Sequence, residues 1–275
     1  MGLFRQKKKK EVIQKIRTER IDKLHLSYQF GNVQGIGARR RQEDSFAFVN
    51  VLDVVEIKNN GLMFVVADGM GGMKDGKIAS ETAIASLKES FQYLDRSGNI
   101  SEQLAEALYV ASGKVEEILD GEGGSTAIIC MIYKEFFYYA SVGDSFLYLY
   151  RNGKIYQINE PHTVCVQKYK EELSAGGFDP YMARNDVETM ALTQFLGMTG
   201  MDEVDYNKKP IPINNEDMFL VCSDGIGGVL EEEKLKEFFQ WKIPQDICDE
   251  IENEIMQLGK GNQDNYTGII VRCVY

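Results

Sequence analysis

The sequence predicts an α+β fold in which pairs of helices cover antiparallel β-sheets. Short runs of β-branched, aromatic and aliphatic residues are bounded by turn residues, and several are apolar throughout, as buried strands are. Segments with helical spacing of apolar residues come in two pairs, with strand-like runs between the pairs. Because helices and strands are clustered rather than alternating one by one, we expect layers of helix packed on sheets, not a parallel sheet with crossover helices.

The strands are predicted from six apolar runs: LMFVVA (62–67), STAIICMI (125–132), FFYYAS (136–141), SFLYLY (145–150), MFLVCS (218–223) and TGIIVRCVY (267–275). The run from 125 to 150 is predicted to be an antiparallel meander whose tight turns are YKE and VGD. RNG at 151–153 predicts a further hairpin turn, because Asn-Gly favours the turn that joins twisted strands.

The helices are predicted from four segments rich in strong helix formers: 77–94, 101–119, 231–241 and 244–259. The stretch from about 160 to 195 is irregular, polar and Gly-containing, which predicts a long flap over a site. We expect a basic N-terminal arm or helix at 1–26 and a single catalytic domain at 27–275.

Charge and composition narrow the functional class. The net charge is −11, but residues 1–23 carry nine Lys or Arg against three acids, which leaves −17 for the remainder. So acidic a body predicts no nucleic-acid partner. No apolar run approaches the roughly 18 residues of a membrane span. The five cysteines are widely spaced without a C-x-x-C pair, which favours a reducing cytoplasm. We expect a cytoplasmic monomer with no transmembrane segment.

A glycine-rich loop, FVVADGMGGMKDGK at 64–77, allows two interpretations. GGMKDGKI places Gly71, Gly76 and Lys77 as a P-loop would, between a strand and a helix. However, Ile78 stands where a P-loop needs Ser or Thr for the magnesium of the nucleotide, and the strand ends three residues too early, at Asp68. The sequence therefore favours a metal-binding role for the aspartate over a nucleotide cradle.

Carboxylates recur at the edges of apolar runs along the whole chain. MFVVADGMGG and MFLVCSDGIGG both end a strand on Asp-Gly, an aliphatic residue and Gly-Gly. Any single one is explained as a turn aspartate, but together such groups would repel unless cations lay between them. They are Glu43, Asp44, Asp68, Asp144, Asp224 and Asp264.

Oxygen ligands favour Mg²⁺ or Mn²⁺. Only His25 and His162 are present, too few for a zinc site built on three histidines, and there is no GxSxG nucleophile elbow.

The ordered motifs resemble those of the PPM family, the metal-dependent type 2C Ser/Thr protein phosphatases, especially its compact bacterial members. The resemblance runs from about residue 30 to 275. It rests on GARRRQEDS, VVADGMGG, GGSTAIICMI, ASVGDSFLYLY, PHT, LTQFLG, LVCSDGIGG and QDNYTGIIV. It implies a four-layer α-β-β-α sandwich of two antiparallel sheets, with two Mg²⁺ or Mn²⁺ ions in a cleft at one end and a weaker third ion.

The resemblance also implies roles for individual residues. Asp68 would bridge the two ions, the Gly69 carbonyl would complete one shell, and Asp224 and Asp264 would hold the other ion. The remaining assignments are Glu43 and Asp44 through bound waters, Asp144 at the third ion and Arg39 on the substrate phosphate. A metal-activated water would hydrolyse phosphoserine or phosphothreonine without a phosphoenzyme, and the substrates would be those of a Ser/Thr kinase.

Three residues depart from the family pattern. Met70 stands where some members have a histidine, Pro161 replaces an aspartate before His162, and Phe146 replaces a common arginine. His162 is therefore a candidate proton donor and equally a candidate structural histidine. Three alternatives stay open: a catalytically silent binding module of this fold, a P-loop NTPase that uses Lys77, and a metal-dependent hydrolase of small phosphorylated molecules.

Overall fold

The computed structural model describes residues 26–70, 75–177 and 191–275. The basic segment 1–23 lies outside the described residues, as do part of the glycine loop and part of the predicted flap.

Eleven strands form two antiparallel sheets in the described part of the chain. The first sheet has the order β1 (Ser27–Gly35), β11 (Tyr266–Val274), β10 (Met218–Cys222), β6 (Phe146–Arg151) and β7 (Lys154–Gln157). The second has the order β2 (Ser45–Val49), β3 (Leu62–Ala67), β4 (Ala127–Tyr133), β5 (Phe136–Val142) and β8 (Asp205–Tyr206), and β9 (Ile211–Pro212) also pairs with β5.

The two sheets pack face to face around an aromatic and aliphatic core. Phe137 of the second sheet stacks on Phe219 of the first, with ring centroids 3.9 Å apart and an interplanar angle of 8°. Phe64 packs beside Phe137, and all three side chains are fully buried. Both faces of the central strands are therefore apolar, which explains why their sequences lack polar alternation.

Helices cover the outer face of each sheet. Helices α2 (Gly76–Tyr93) and α3 (Ile100–Leu119) pack on the second sheet, after the short α1 (Val54–Asn60) between β2 and β3. The first sheet is covered by α6 (Glu232–Phe238), a 3-10 turn (Phe239–Trp241) and α7 (Pro244–Leu258). Two shorter helices, α4 (Val164–Ser174) and α5 (Asp224–Gly227), lie near the end of the sandwich that carries the carboxylates. The predicted four-layer α-β-β-α arrangement is confirmed.

One helix shows how the sequence fixes these layers. In α3, Leu104, Leu108, Ala111 and Val115 recur at helical spacing, and all four are buried against the sheet. The helix begins at Asn99, whose side chain accepts a hydrogen bond from the Glu102 amide.

The predicted meander from 125 to 150 is correct at its first turn and wrong at its second. Strands β4 and β5 pair as a hairpin across Lys134, which has φ of 57°. Strands β5 and β6 lie in different sheets, so VGD is a crossover between sheets and not a hairpin turn. Because all three strands are apolar, the sequence pattern does not distinguish these two connections. The RNG hairpin between β6 and β7 is confirmed, with positive φ at Asn152 and Gly153.

The predicted flap is not irregular throughout. Its first half contains the eleven-residue helix α4, which begins after Thr163, and the Thr163 hydroxyl accepts a hydrogen bond from the Val166 amide. No residue of α4 is fully buried. A helix that buries no residue needs no strong apolar periodicity, which is why the sequence pattern does not reveal α4. In the three described ranges, no helix is both long and apolar enough to cross a membrane.

Candidate active site

The predicted carboxylates lie at one end of the sandwich. Asp68 follows β3, Asp224 follows β10 and Asp144 follows β5, whereas Asp44 precedes β2 and Asp264 precedes β11. Since the strands are antiparallel, the end of one strand lies beside the start of its neighbour: Ala67 pairs with Ser45, and Cys222 pairs with Gly268. The strand ends of both sheets therefore bring these side chains together.

Asp68 lies at the centre of the cluster. The carboxyl groups of Asp44 and Asp224 lie close enough to that of Asp68 for each of them to influence its pKa. Asp44 is fully buried, and its Oδ2 accepts a hydrogen bond of 2.9 Å from the Ser223 hydroxyl. The main chain of Asp68 is held by the two residues that precede β4, because the Asp68 carbonyl accepts hydrogen bonds from the Thr126 amide and the Ser125 hydroxyl.

The electrostatics of the cluster are unfavourable without a cation. Burial is the largest cause that raises the pKa of Asp68 well above its ordinary value, and the charges of Asp44, Asp224 and Asp144 raise it further. Burial, followed by the charges of Asp144 and Asp264, raises the pKa of Asp224 to about 7. Burial also raises the pKa of Asp44 and of Asp144. In the absence of counter-ions, protons therefore stabilise this group of carboxylates.

Divalent cations fit these residues. Asp44 Oδ1 and Asp224 Oδ1 are buried and have no hydrogen-bond partner in the described structure. The available donors are all oxygen atoms, as Mg²⁺ and Mn²⁺ prefer. Within residues 26–70, 75–177 and 191–275, no three His, Cys, Asp or Glu side chains are arranged as a ready-made metal site. The unpartnered oxygens and the mutual repulsion are what identify the site.

Both Asp-Gly pairs require glycine for steric reasons. A Cβ atom at Gly69 would lie 2.1 Å from the Gly76 carbonyl oxygen and 2.7 Å from that of Glu43. A Cβ atom at Gly225 would lie 1.9 Å from the Asn265 carbonyl oxygen. The repeated Asp-Gly motif therefore places each aspartate where its main chain passes directly against another loop of the site.

Asn265 organises the loop that carries Arg39 and Glu43. Its Oδ1 accepts a hydrogen bond of 2.8 Å from the Glu43 amide, and its Nδ2 donates to the carbonyls of Ile36 at 2.9 Å and Arg41 at 3.0 Å. The side chain is buried. Sequence reasoning did not identify Asn265, nor did it identify Ser223 as the partner of Asp44. The only available signal was that each residue is adjacent to a predicted ligand.

Arg39 lies at the exposed rim of the cluster. Its guanidinium Nη2 is 2.5 Å from Asp264 Oδ2, and about half of the Arg39 side chain is exposed. The bond to Asp264 is the largest cause that raises the pKa of Arg39. The arginine predicted to bind phosphate is thus paired with a predicted metal ligand.

His162 is not part of the carboxylate cluster. It is buried, its Nδ1 has no hydrogen-bond partner in the described structure, and burial lowers its pKa. The carboxylates whose charges act on it are Glu203, Asp205 and Glu160 rather than the five site aspartates. At neutral pH this imidazole is therefore neutral, with a proton on only one of its two nitrogens. A proton donor would be the doubly protonated form, so the structure favours a structural role for His162.

Lys77 does not point to a nucleotide site. Its Nζ donates hydrogen bonds to the Asp44 carbonyl at 2.8 Å and to the Ser45 hydroxyl at 3.0 Å. The lysine therefore attaches α2 to the start of β2. The strand before the loop belongs to an antiparallel sheet, whereas the strand of a P-loop leads into a nucleotide-binding loop and helix. Residues 71–74 of the predicted cradle lie outside the described residues.

Comparison with protein families gives one decisive match. The family described as protein phosphatase 2C matches residues 28–171, just over half of the chain. The chain belongs to the protein phosphatase 2C family. The family and the enzyme class predicted from the motifs are thereby confirmed.

Individual relatives agree with this membership. The serine/threonine phosphatase stp of Listeria welshimeri is 28% identical over 227 residues, which cover 79% of this chain and 87% of that protein. The Streptococcus agalactiae serine/threonine phosphatase superimposes with a TM-score of 0.74 at 23% identity, over 89% of this chain and 98% of that one. The catalytic domain of the phosphatase PstP, solved with two manganese ions, gives a TM-score of 0.70 at 22% identity, over 91% and 100%. These solved structures share the fold of this chain.

Proposed function

We propose that this protein phosphatase 2C family member hydrolyses phosphoserine and phosphothreonine on proteins, with Mg²⁺ or Mn²⁺ as cofactor. The observation that carries the proposal is the group of buried and half-buried carboxylates around Asp68, whose mutual repulsion divalent cations would relieve. The names of the relatives, and the two manganese ions bound to PstP, support the same reaction and cofactor.

Each predicted ligand has a role in this proposal. Asp68, the Gly69 carbonyl, Asp224 and Asp264 would contact two ions directly, Glu43 and Asp44 would act through water, and Asp144 would serve a weaker third ion. When bound, the ions lower the pKa of a water and offset the negative charge of the phosphoryl group, which allows direct hydrolysis at neutral pH without a phosphoenzyme.

The residues of the chain position the reacting groups. Ser223 holds one oxygen of Asp44 and leaves Oδ1 free to accept from a bound water. Asn265 fixes the main chain of Glu43, so the loop enters the site with a defined conformation. Arg39 would exchange its bond to Asp264 for two phosphoryl oxygens, because a planar guanidinium can donate to both.

We also propose that residues 27–275 act as one catalytic domain, preceded in sequence by a basic arm or helix at 1–26. The substrates are phosphoproteins made by a Ser/Thr kinase in the cytoplasm. We further propose a monomer, since one chain carries the complete set of predicted ligands and needs no partner to supply one.

Release of inorganic phosphate from a phosphothreonine peptide tests the function. We expect turnover with Mn²⁺ or Mg²⁺, none in excess EDTA, and loss of turnover in Asp224→Ala. A folded wild-type protein that is inactive with both ions would instead indicate a catalytically silent binding module. Stronger competition by a small phosphorylated molecule than by the peptide would favour the small-molecule hydrolase.

A further inference from the structure

A cavity of about 420 Å³ opens directly beside the carboxylate cluster. Asp144, Asp224 and Asp264 contribute to its lining, and so do the polar residues Lys260, Asn262 and Gln263. Four apolar side chains also line it and are called the apolar wall: Phe146, Pro161, Val166 and Val229. The volume falls in the range of cavities that bind small organic groups, roughly 300–1,000 Å³. Phosphate and cations need no apolar wall, so the proposed reaction at the carboxylates does not explain this part of the cavity.

The apolar wall is held in place by the fold. The ring of Phe146 lies against the main chain of α5, where a Cβ atom at Gly227 would be 2.3 Å from the ring. The same ring stacks on Tyr148, with an interplanar angle of 8°. Val166 lies in the first turn of α4, whose start is fixed by the Thr163 cap. The wall is therefore formed before a ligand arrives, which lowers the entropic cost of binding.

The cavity and the phosphate site are continuous, since the same three aspartates border both. If a phosphorylated side chain of a substrate reached the carboxylates, the main chain of that substrate would lie at the mouth of the cavity. In an extended peptide, side chains alternate between faces and the rise is about 3.3 Å per residue. The residue two positions from the phosphorylated one therefore points to the same side, about 7 Å away.

We propose that this cavity binds an apolar side chain two residues from the phosphorylated Ser or Thr, and so selects phosphoproteins that carry an aliphatic or aromatic residue there. This inference rests on the proposed function. Burial of an aliphatic group against Phe146, Val166 and Val229 would be favourable. An acidic side chain at the same position would lose hydration against the apolar wall. It would also face three aspartates and a single lysine, Lys260, in the lining of the cavity.

The test is a series of phosphothreonine peptides with Leu, Ala or Asp two positions before or after the phosphorylated residue. We expect kcat/KM to be about tenfold higher with Leu than with Ala at one of these positions, and lowest with Asp, as hydrophobic pockets discriminate by this order. Equal kcat/KM for all peptides, together with turnover of p-nitrophenyl phosphate, would overturn the inference and leave the proposed function intact. No turnover of any substrate would refute both.

Variants locate the preference in the cavity. Val166→Asp should bring the ratio of kcat/KM for the Leu peptide to kcat/KM for the Ala peptide down to about one. Val229→Ala should reduce this Leu-to-Ala ratio without adding a charge. The ratio compares two peptides on one protein, so it is insensitive to a general change in turnover. Val55→Asp is the matched control, because Val55 is an exposed valine in the first turn of α1 and does not line the cavity. A ratio that changes equally in all three variants would contradict the assignment.

Discussion

Replacement of one proposed metal ligand should stabilise the metal-free protein. Asp224→Asn removes a charge from a group of mutually repelling carboxylates and leaves a neutral side chain of nearly the same shape. In the folded protein the pKa of Asp224 is raised to about 7, from an ordinary value of 3.8. Burial is the main cause, followed by the charges of Asp144 and Asp264.

The sign and size of the effect follow from proton linkage. Below about pH 4 the carboxyl group is protonated in both folded and unfolded chains, so it costs no stability. As pH rises from about 4 to 7, the unfolded chain loses this proton while the folded chain keeps it, and the free energy of unfolding falls. At about 1.4 kcal/mol for each unit of pKa, the loss above pH 7 is about 4 kcal/mol.

Unfolding in EDTA, followed between pH 4 and pH 8, measures this effect. The neighbouring carboxylates share the repulsion, so one substitution relieves only part of it. We expect Asp224→Asn to raise the free energy of unfolding by about 2 kcal/mol or more at pH 8, which corresponds to roughly 4–8 °C in melting temperature. Added Mn²⁺ should reverse the order, since only the wild type gains the full binding free energy. The control is Asp249→Asn on the exposed face of α7, which should change neither result. If Asp224→Asn melts below the wild type at pH 8 in EDTA, the repulsion described here is absent.

Three further substitutions test other parts of the site. Asn265→Ala removes three hydrogen bonds of a buried side chain, so it should lower the free energy of unfolding by about 3 kcal/mol and also lower kcat. Urea unfolding and phosphate release measure these two effects. The control, Asn215→Ala, removes one exposed hydrogen bond and should cost under about 1 kcal/mol. Arg39→Lys should raise KM for a phosphopeptide about tenfold with a smaller change in kcat, because a lysine cannot donate to two oxygens in one plane; an unchanged KM would remove Arg39 from the phosphate site. Lys77→Met should destabilise the protein by about 1–3 kcal/mol through loss of the bond to the Asp44 carbonyl, and calorimetry should detect no ATP binding before or after the change.

Local pattern predicted the strands and helices that lie at the centre of the fold. LMFVVA was predicted at its observed bounds, Leu62–Ala67, because a strand buried on both faces has no polar position. β1 was missed because Ser27–Gly35 mixes polar residues and two glycines with only three large apolar residues. It is defined by its pairing with β11, more than 200 residues away. α4 was missed because it buries no complete apolar face. These elements depend on partners that a local window does not contain.

The candidate site shows the same division. Asp68 and Asp224 were found because the motif repeats, and the close main-chain approaches at Gly69 and Gly225 give that repeat a physical cause. Asn265 was missed because its role appears only when it reaches the loop from Ile36 to Arg41, 229 and 224 residues away in sequence. His162 was a candidate because its position in PHT resembles a family motif, whereas its burial could be seen only in the fold.

Binding of Mn²⁺ to the purified protein, measured by calorimetry, tests the central claim most directly. That claim is that the aspartates around Asp68 form a centre for two divalent cations. We expect about two tightly bound ions per chain for the wild type, as is typical of a two-metal hydrolase. We expect Asp68→Asn to lose this binding and to keep its fold, as measured by circular dichroism. If the folded wild type and Asp68→Asn bind Mn²⁺ equally, the metal centre lies elsewhere and the account is wrong.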